Sequence, residues 1–173
     1  MRPFPVFRFE FLVSQGQPET RNQKPRTKNK KLETDTLLIE HTHPRLRLDE
    51  AALRQLVLCI VAAEGRSLAY LGIILADHET VLDLNRSYLA HDYLTDVLSF
   101  PLGDDEDDAV DGEVYVDLDT AAEQHEAYAV SFEEEACRYV VHGLLHLLGY
   151  DDATDAGRAA MRRLEDRYLA ECL

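Results

Sequence analysis

The chain has 173 residues, 46% of them hydrophobic, which is enough for one domain with a buried core. No apolar run reaches the roughly 18 residues of a membrane-spanning helix, and the N-terminus lacks the apolar stretch and cleavage site of a secretory leader. The net charge of −15 is uneven: residues 1–36 hold eight of the 18 Lys/Arg and four of the 33 Asp/Glu, a net of +4, which leaves ten and twenty-nine, a net of −19, for the rest. A body this acidic argues against broad, nonspecific nucleic-acid binding, since neutralising phosphates takes clustered cations.

Residues 14–36 are polar, carry two prolines and hold almost no large apolar side chains. They cannot bury enough surface to offset the entropy of ordering, so residues 1–36 are expected to form a disordered basic extension ahead of a single domain at 37–173. The three cysteines, Cys59, Cys137 and Cys172, are far apart and form no C-x-x-C pair. That pattern predicts reduced thiols and a cytoplasmic protein, with Cys59 a small packing residue.

From residue 37 the pattern becomes globular. Residues 37–43 read as a strand, and Asp49 as the cap of a helix with Leu53, Leu56, Val57, Ile60 and Val61 on its apolar face. Residues 68–76 form a short apolar run, a buried strand. A helix over 79–89 follows, then extended segments at 97–102 and 112–118 joined by an acidic loop. Pro101 places the first of these at a sheet edge. Residues 119–129 are helical in composition. Ser131 with Glu134 is a capping-box signature for a long helix that stops at Gly149, and Thr154 or Asp155 starts the last helix. Strands and helices do not strictly alternate, which predicts an α+β fold with a small mixed sheet and several helices.

That long helix carries VHGLLHLLGYDD at 141–152. Residues four apart share a helical face, so His142 and His146 can direct two imidazoles at one ion, and the turn after Gly149 can return Asp152 to the same point. Two imidazoles and a carboxylate suit one Zn2+ or another divalent ion, with a fourth position for water that the metal activates. The residue after the first histidine is Gly143, where H-E-x-x-H peptidases place their general base, which disfavours peptidase chemistry. Asp151, Asp155 and Glu113 are the nearest candidate bases, but each is better explained as an exposed, turn or capping carboxylate.

The string HGLLHLLGYDD resembles the H-G-x-L-H-L-x-G-Y-D-H signature of the bacterial YbeY family of metal-dependent endoribonucleases. LNRSYLAHDYLTDVLSFP at 84–101 resembles a second family stretch, and GEVYVD at 112–117 a third. The resemblance spans about residues 37–170 and implies a metzincin-like α+β domain with its metal site at the C-terminal end of the long helix, and a zinc-dependent, single-strand-specific endoribonuclease. Its work would be rRNA maturation, including the 3′ end of 16S rRNA, and ribosome quality control. Its partners would be ribosomal RNA and ribosomal proteins or ribosome-associated factors, with no membrane and no nucleotide cofactor.

Two positions depart from the family pattern. Asp152 stands where the third histidine is usual, which lowers the site's charge by one, predicts a less acidic metal-bound water and broadens metal preference. Leu89 stands where an arginine is usual, and Arg86, one helical turn earlier, is the candidate to hold phosphate. Thr95, Asp96 and Ser99 are candidates for the cleft wall. The competing readings are a ribosome-associated assembly factor with a structural metal, which the acidic body suits, and another zinc-dependent hydrolase.

Overall fold

A computed structural model describes residues 36–103 and 108–173. The expectations for the extension before residue 36 and for the centre of the acidic loop lie outside these residues. Nine elements follow in order: β1 (Leu37–His41), α1 (Glu50–Ala63), β2 (Ser67–Ala76), α2 (His78–Leu89), β3 (Val97–Pro101), β4 (Ala109–Asp117), α3 (Leu118–Tyr128), α4 (Phe132–Leu147) and α5 (Asp155–Cys172). The mixed α+β architecture expected from the sequence is what the structure shows.

The four strands lie in the order β1-β2-β4-β3. β1, β2 and β4 are parallel, whereas β3 runs antiparallel to β4, with Val97 opposite Val116 and Pro101 opposite Gly112. Pro101, which has no N–H to offer a ladder, ends the edge strand β3. β2 is the hub, paired on both sides and buried without interruption from Leu71 to Ala76. A strand covered on both faces has no polar side to alternate with, so its sequence reads as a continuous apolar run.

One face of the sheet, through Leu37, Ile39, Leu71, Ile73, Leu75, Val97, Val114 and Val116, packs against α1, α4 and α5 in the main core. The opposite face is covered at one end by α2, whose Val81, Leu84 and Leu89 meet Ile74, Ala76 and Leu98. Asp49 caps α1 by accepting from the Ala51 and Ala52 amides at 2.8 and 3.0 Å. The same helix buries Leu53, Leu56, Val57, Ile60 and Val61, each worth about 1.5–3 kcal/mol relative to exposure.

The cysteine expectation is corrected. Cys59 and Cys172 form a disulfide, and only Cys137 is free, buried on α4. α1 and α5 pack side by side, bringing residues 113 apart in sequence to a Cα separation of 5.8 Å. Wide sequence spacing carried no information about this proximity, so Cys59 is a cross-link rather than a packing residue.

Candidate metal centre

α4 starts at Ser131, whose Oγ accepts from the Glu134 amide at 3.1 Å. Glu133, Glu134 and Glu135 follow in the first turn, where carboxylates favour the positive end of the helix dipole. Arg138, His142 and His146 then recur every four residues, a single stripe along the helix whose first two members meet α5. All three are buried, at 9%, 7% and 5% exposure, which for polar side chains demands partners.

The partners define the tautomers. His146 Nδ1 lies 3.0 Å from the Tyr150 carbonyl, which can only accept, so Nδ1 carries the proton. His142 Nδ1 lies 2.7 Å from Glu165 Oε1 on α5. Burial works against ionising Glu165, but the hydrogen bond and charge of His142, and the charge of Arg138, outweigh it and hold the carboxyl below its usual range. Glu165 therefore accepts, and His142 also donates through Nδ1. Both Nε2 atoms turn inward, 2.9 Å apart. Burial, then His142, lowers the pKa of His146, which favours the neutral ring, the form that ligates metal.

Gly149 leaves the helix at φ +93°, a left-handed turn that suits glycine. The turn returns Asp152, 7% exposed, to the two rings. Its Oδ2 is 3.9 Å from His142 Nε2 and its Oδ1 3.9 Å from His146 Nε2. Arg158 pins the turn by donating to the Asp152 carbonyl at 2.9 Å. A tetrahedral ion with bonds of about 2.0–2.1 Å separates neighbouring ligand atoms by roughly 3.3 Å. Distances of 2.9 and 3.9 Å straddle that value, so the three residues fit one ion with small adjustments and leave a fourth direction open to water.

Ser99 donates to the Gly143 carbonyl at 3.0 Å, tying β3 to α4 beside the histidines. Asp96, just before β3, accepts from the Val97 amide at 3.0 Å and from the Thr95 hydroxyl at 3.3 Å. Burial pushes its carboxyl up to about 6, against the lowering influence of His142, the Asp96 and Val97 amides and the Thr95 hydroxyl. That influence places Asp96 within electrostatic reach of His142.

Arg86 has carboxylate partners of its own. It lies on the exposed side of α2, ion-paired with Asp92 at 2.6 Å and Asp83 at 3.5 Å. Leu89 packs into the apolar cluster under α2. Asp151 accepts from the Ala153 amide at 3.1 Å, and Asp155 pairs with Arg158 on the surface. Glu113 accepts from the Tyr115 hydroxyl at 2.9 Å. Alternation along β4 puts it on the sheet face opposite Val114, hence opposite α4.

A second group, His78, Asp117 and Asp119, also brings potential ligand atoms together. Asp117 there is the cap of α3, accepting from the Asp119 and Thr120 amides and the Thr120 hydroxyl, with His78 at 2.5 Å. Capping accounts for that arrangement.

The sequence reading missed Glu165 and Arg138. A signal for Glu165 was present: it interrupts the stripe Met161, Tyr168, Cys172 on the buried side of α5. A carboxylate on an apolar stripe needs a buried partner, and His142 is that partner.

A family model described as Endoribonuclease YbeY matches residues 38–172. The chain belongs to the YbeY family. An Endoribonuclease YbeY of Salinibacter ruber is 55% identical over 142 residues, covering 78% of this chain and 90% of that protein. The YbeY of Carboxydothermus hydrogenoformans is 40% identical, covering 76% and 94%, and that of Chlorobaculum tepidum 38%, covering 70% and 88%. Among solved structures, the solution structure of TM1509 from Thermotoga maritima aligns with a TM-score of 0.57 at 28% identity, covering 79% of this chain and 88% of that one. The YbeY match includes all the elements that carry the stripe on α4, the turn with Asp152 and Glu165.

Proposed function

We propose that this chain is a metal-dependent endoribonuclease that cuts single-stranded RNA during rRNA maturation, including the 3′ end of 16S rRNA, and in ribosome quality control. Its ion, zinc in this reading, is held by His142, His146 and Asp152. The observation that carries the reading is the convergence of two Nε2 atoms and one carboxylate at the end of α4, in a chain whose YbeY relatives are named endoribonucleases. No helix among the described residues is long and apolar enough to cross a membrane. The reading places the protein in the cytoplasm, with ribosomal RNA and ribosome-associated proteins as partners.

A divalent ion in this site supplies Lewis acidity and brings water deprotonation near neutral pH. The protein's own part is electrostatic and positional. His142 and His146 keep Nδ1 protonated and Nε2 available through fixed acceptors on Glu165 and Tyr150. Asp152 brings a negative charge, so the site holds a dication with less residual positive charge than three imidazoles would leave. Asp96, within electrostatic reach of His142 and with its carboxyl pushed up to about 6, is suited to exchange a proton with substrate or water near neutral pH. Arg86 can engage a phosphate by exchanging its exposed partner Asp92.

The test is incubation of the zinc-loaded full chain with single-stranded RNA and precursor rRNA, beside a His142→Ala/His146→Ala variant. Cleavage lost in the variant supports the nuclease, and equal cleavage in both overturns it. An Asp152→Ala variant that keeps full zinc stoichiometry removes Asp152 from the ligand set. A second reading, a ribosome assembly factor with a structural metal, draws on the net charge of −19 after residue 36. It predicts intact RNA together with ribosome binding.

A further inference from the structure

Two buried ionisable groups beside the proposed ligands, Glu165 and Arg138, form one connected device. Glu165 is 5% exposed and sits on α5, a different element from either histidine. One of its oxygens accepts from His142 Nδ1–H at 2.7 Å, and the other lies 3.4 Å from Arg138 Nη1. The same Arg138 nitrogen is 2.6 Å from Asp166, and Arg138 Nε is 4.0 Å from Glu135. Arg138 is thus held from both helices, and it in turn holds Glu165.

We infer that Glu165, braced by Arg138, is the positioning residue of the metal centre: it fixes the tautomer and ring angle of His142 so that Nε2 meets the ion. This rests on the reading of His142, His146 and Asp152 as metal ligands. A buried carboxylate without a cation or a donor is strongly disfavoured, so an ion pair with Arg138 alone would satisfy Glu165 structurally. That simpler role does not require the shorter contact, which goes to the imidazole. His146 directs its Nδ1 at the Tyr150 backbone carbonyl instead of a carboxylate, so the two ligands differ in what supports them. The carboxylate-bound imidazole is the more basic donor, and His142 anchors the ion more firmly than His146 does.

Zinc affinity of the full chain, measured by competition with a chromophoric chelator, is the test. Glu165→Ala is expected to weaken zinc binding about 10- to 100-fold. Glu165→Gln, whose amide oxygen can still accept from Nδ1, recovers most of that loss. Glu171→Ala, an exposed carboxylate on the same helix, stays within about twofold of wild type. Long-range nitrogen-15 correlations of the zinc-loaded wild type give a second readout that needs no variant, with His142 protonated on Nδ1 and bound through Nε2. Zinc affinity unchanged in a folded Glu165→Ala, or zinc on Nδ1 of His142, overturns the inference. A wild type that binds no zinc overturns the metal reading beneath it, so the two failures are separable.

Discussion

A β-carbon added to Gly143 would stand 2.5 Å from Val114 Cγ1, 2.9 Å from Val97 Cγ2 and 3.0 Å from Ser99 Oγ. The residue after the first histidine thus faces the sheet, and a glutamate there would drive α4 off its bed rather than reach a metal-bound nucleophile. Gly143→Ala is expected to cost about 1–3 kcal/mol through overpacking, seen as a lower melting temperature. The same displacement should weaken zinc binding, because His142 is the adjacent residue. The two histidines were legible from the sequence because helical period alone sets them on one face. The reason for the glycine was not, because it depends on how closely α4 approaches β3 and β4. Asp152 was found because a glycine stop restricts where the chain can turn next.

At the scale of elements, α5 is tied to α1 by a disulfide and through Glu64, which also holds the turn before α5. Cys172 is bonded to Cys59, and Glu64, the C-cap of α1, accepts from the Tyr168 and Tyr150 hydroxyls. A cross-link closing a loop of this length is worth about 2–5 kcal/mol, so reduction should lower the melting temperature of wild type and leave Cys59→Ala unmoved. Non-reducing peptide mapping checks the linkage itself. The helices and strands were largely readable from caps and periodicity, whereas the pairing of α1 with α5 was not, because no local pattern encodes it. The junction of α2 and α3 carries a pH response. Burial alone would lower the pKa of His78, but its hydrogen bond to Asp117 and the Asp117 charge, then Glu123 and Asp119, raise it above its ordinary 6.5. A raised histidine value means stability fully present below about pH 6.5 and lost as pH rises through the folded-state value. Thermal melts from about pH 6 to 9 should therefore decline, and His78→Asn should flatten the decline.

For the whole molecule, the dominant fact is charge. Binding that neutralises six to ten phosphates loses about 10³–10⁵ in affinity between roughly 50 and 200 mM salt. A body of net −19 should show a far shallower slope, below about tenfold over that range. The His142→Ala/His146→Ala variant titrated with labelled single-stranded RNA measures it; a steep slope would reveal a cationic track that the charge balance conceals. A different consequence follows from the burial of α4. Every residue from Glu135 to His146 is buried, whereas α2 buries only Val81 and Asn85. Amides of α4 should exchange with deuterium only through global opening, while α2 opens locally. Two of the three proposed ligands then sit on the most protected element, and the third sits on a turn. Escape of the ion to a chelator should accordingly keep time with deuterium uptake at Tyr150–Ala153 and run far ahead of uptake in α4, making the turn the door through which the metal comes and goes.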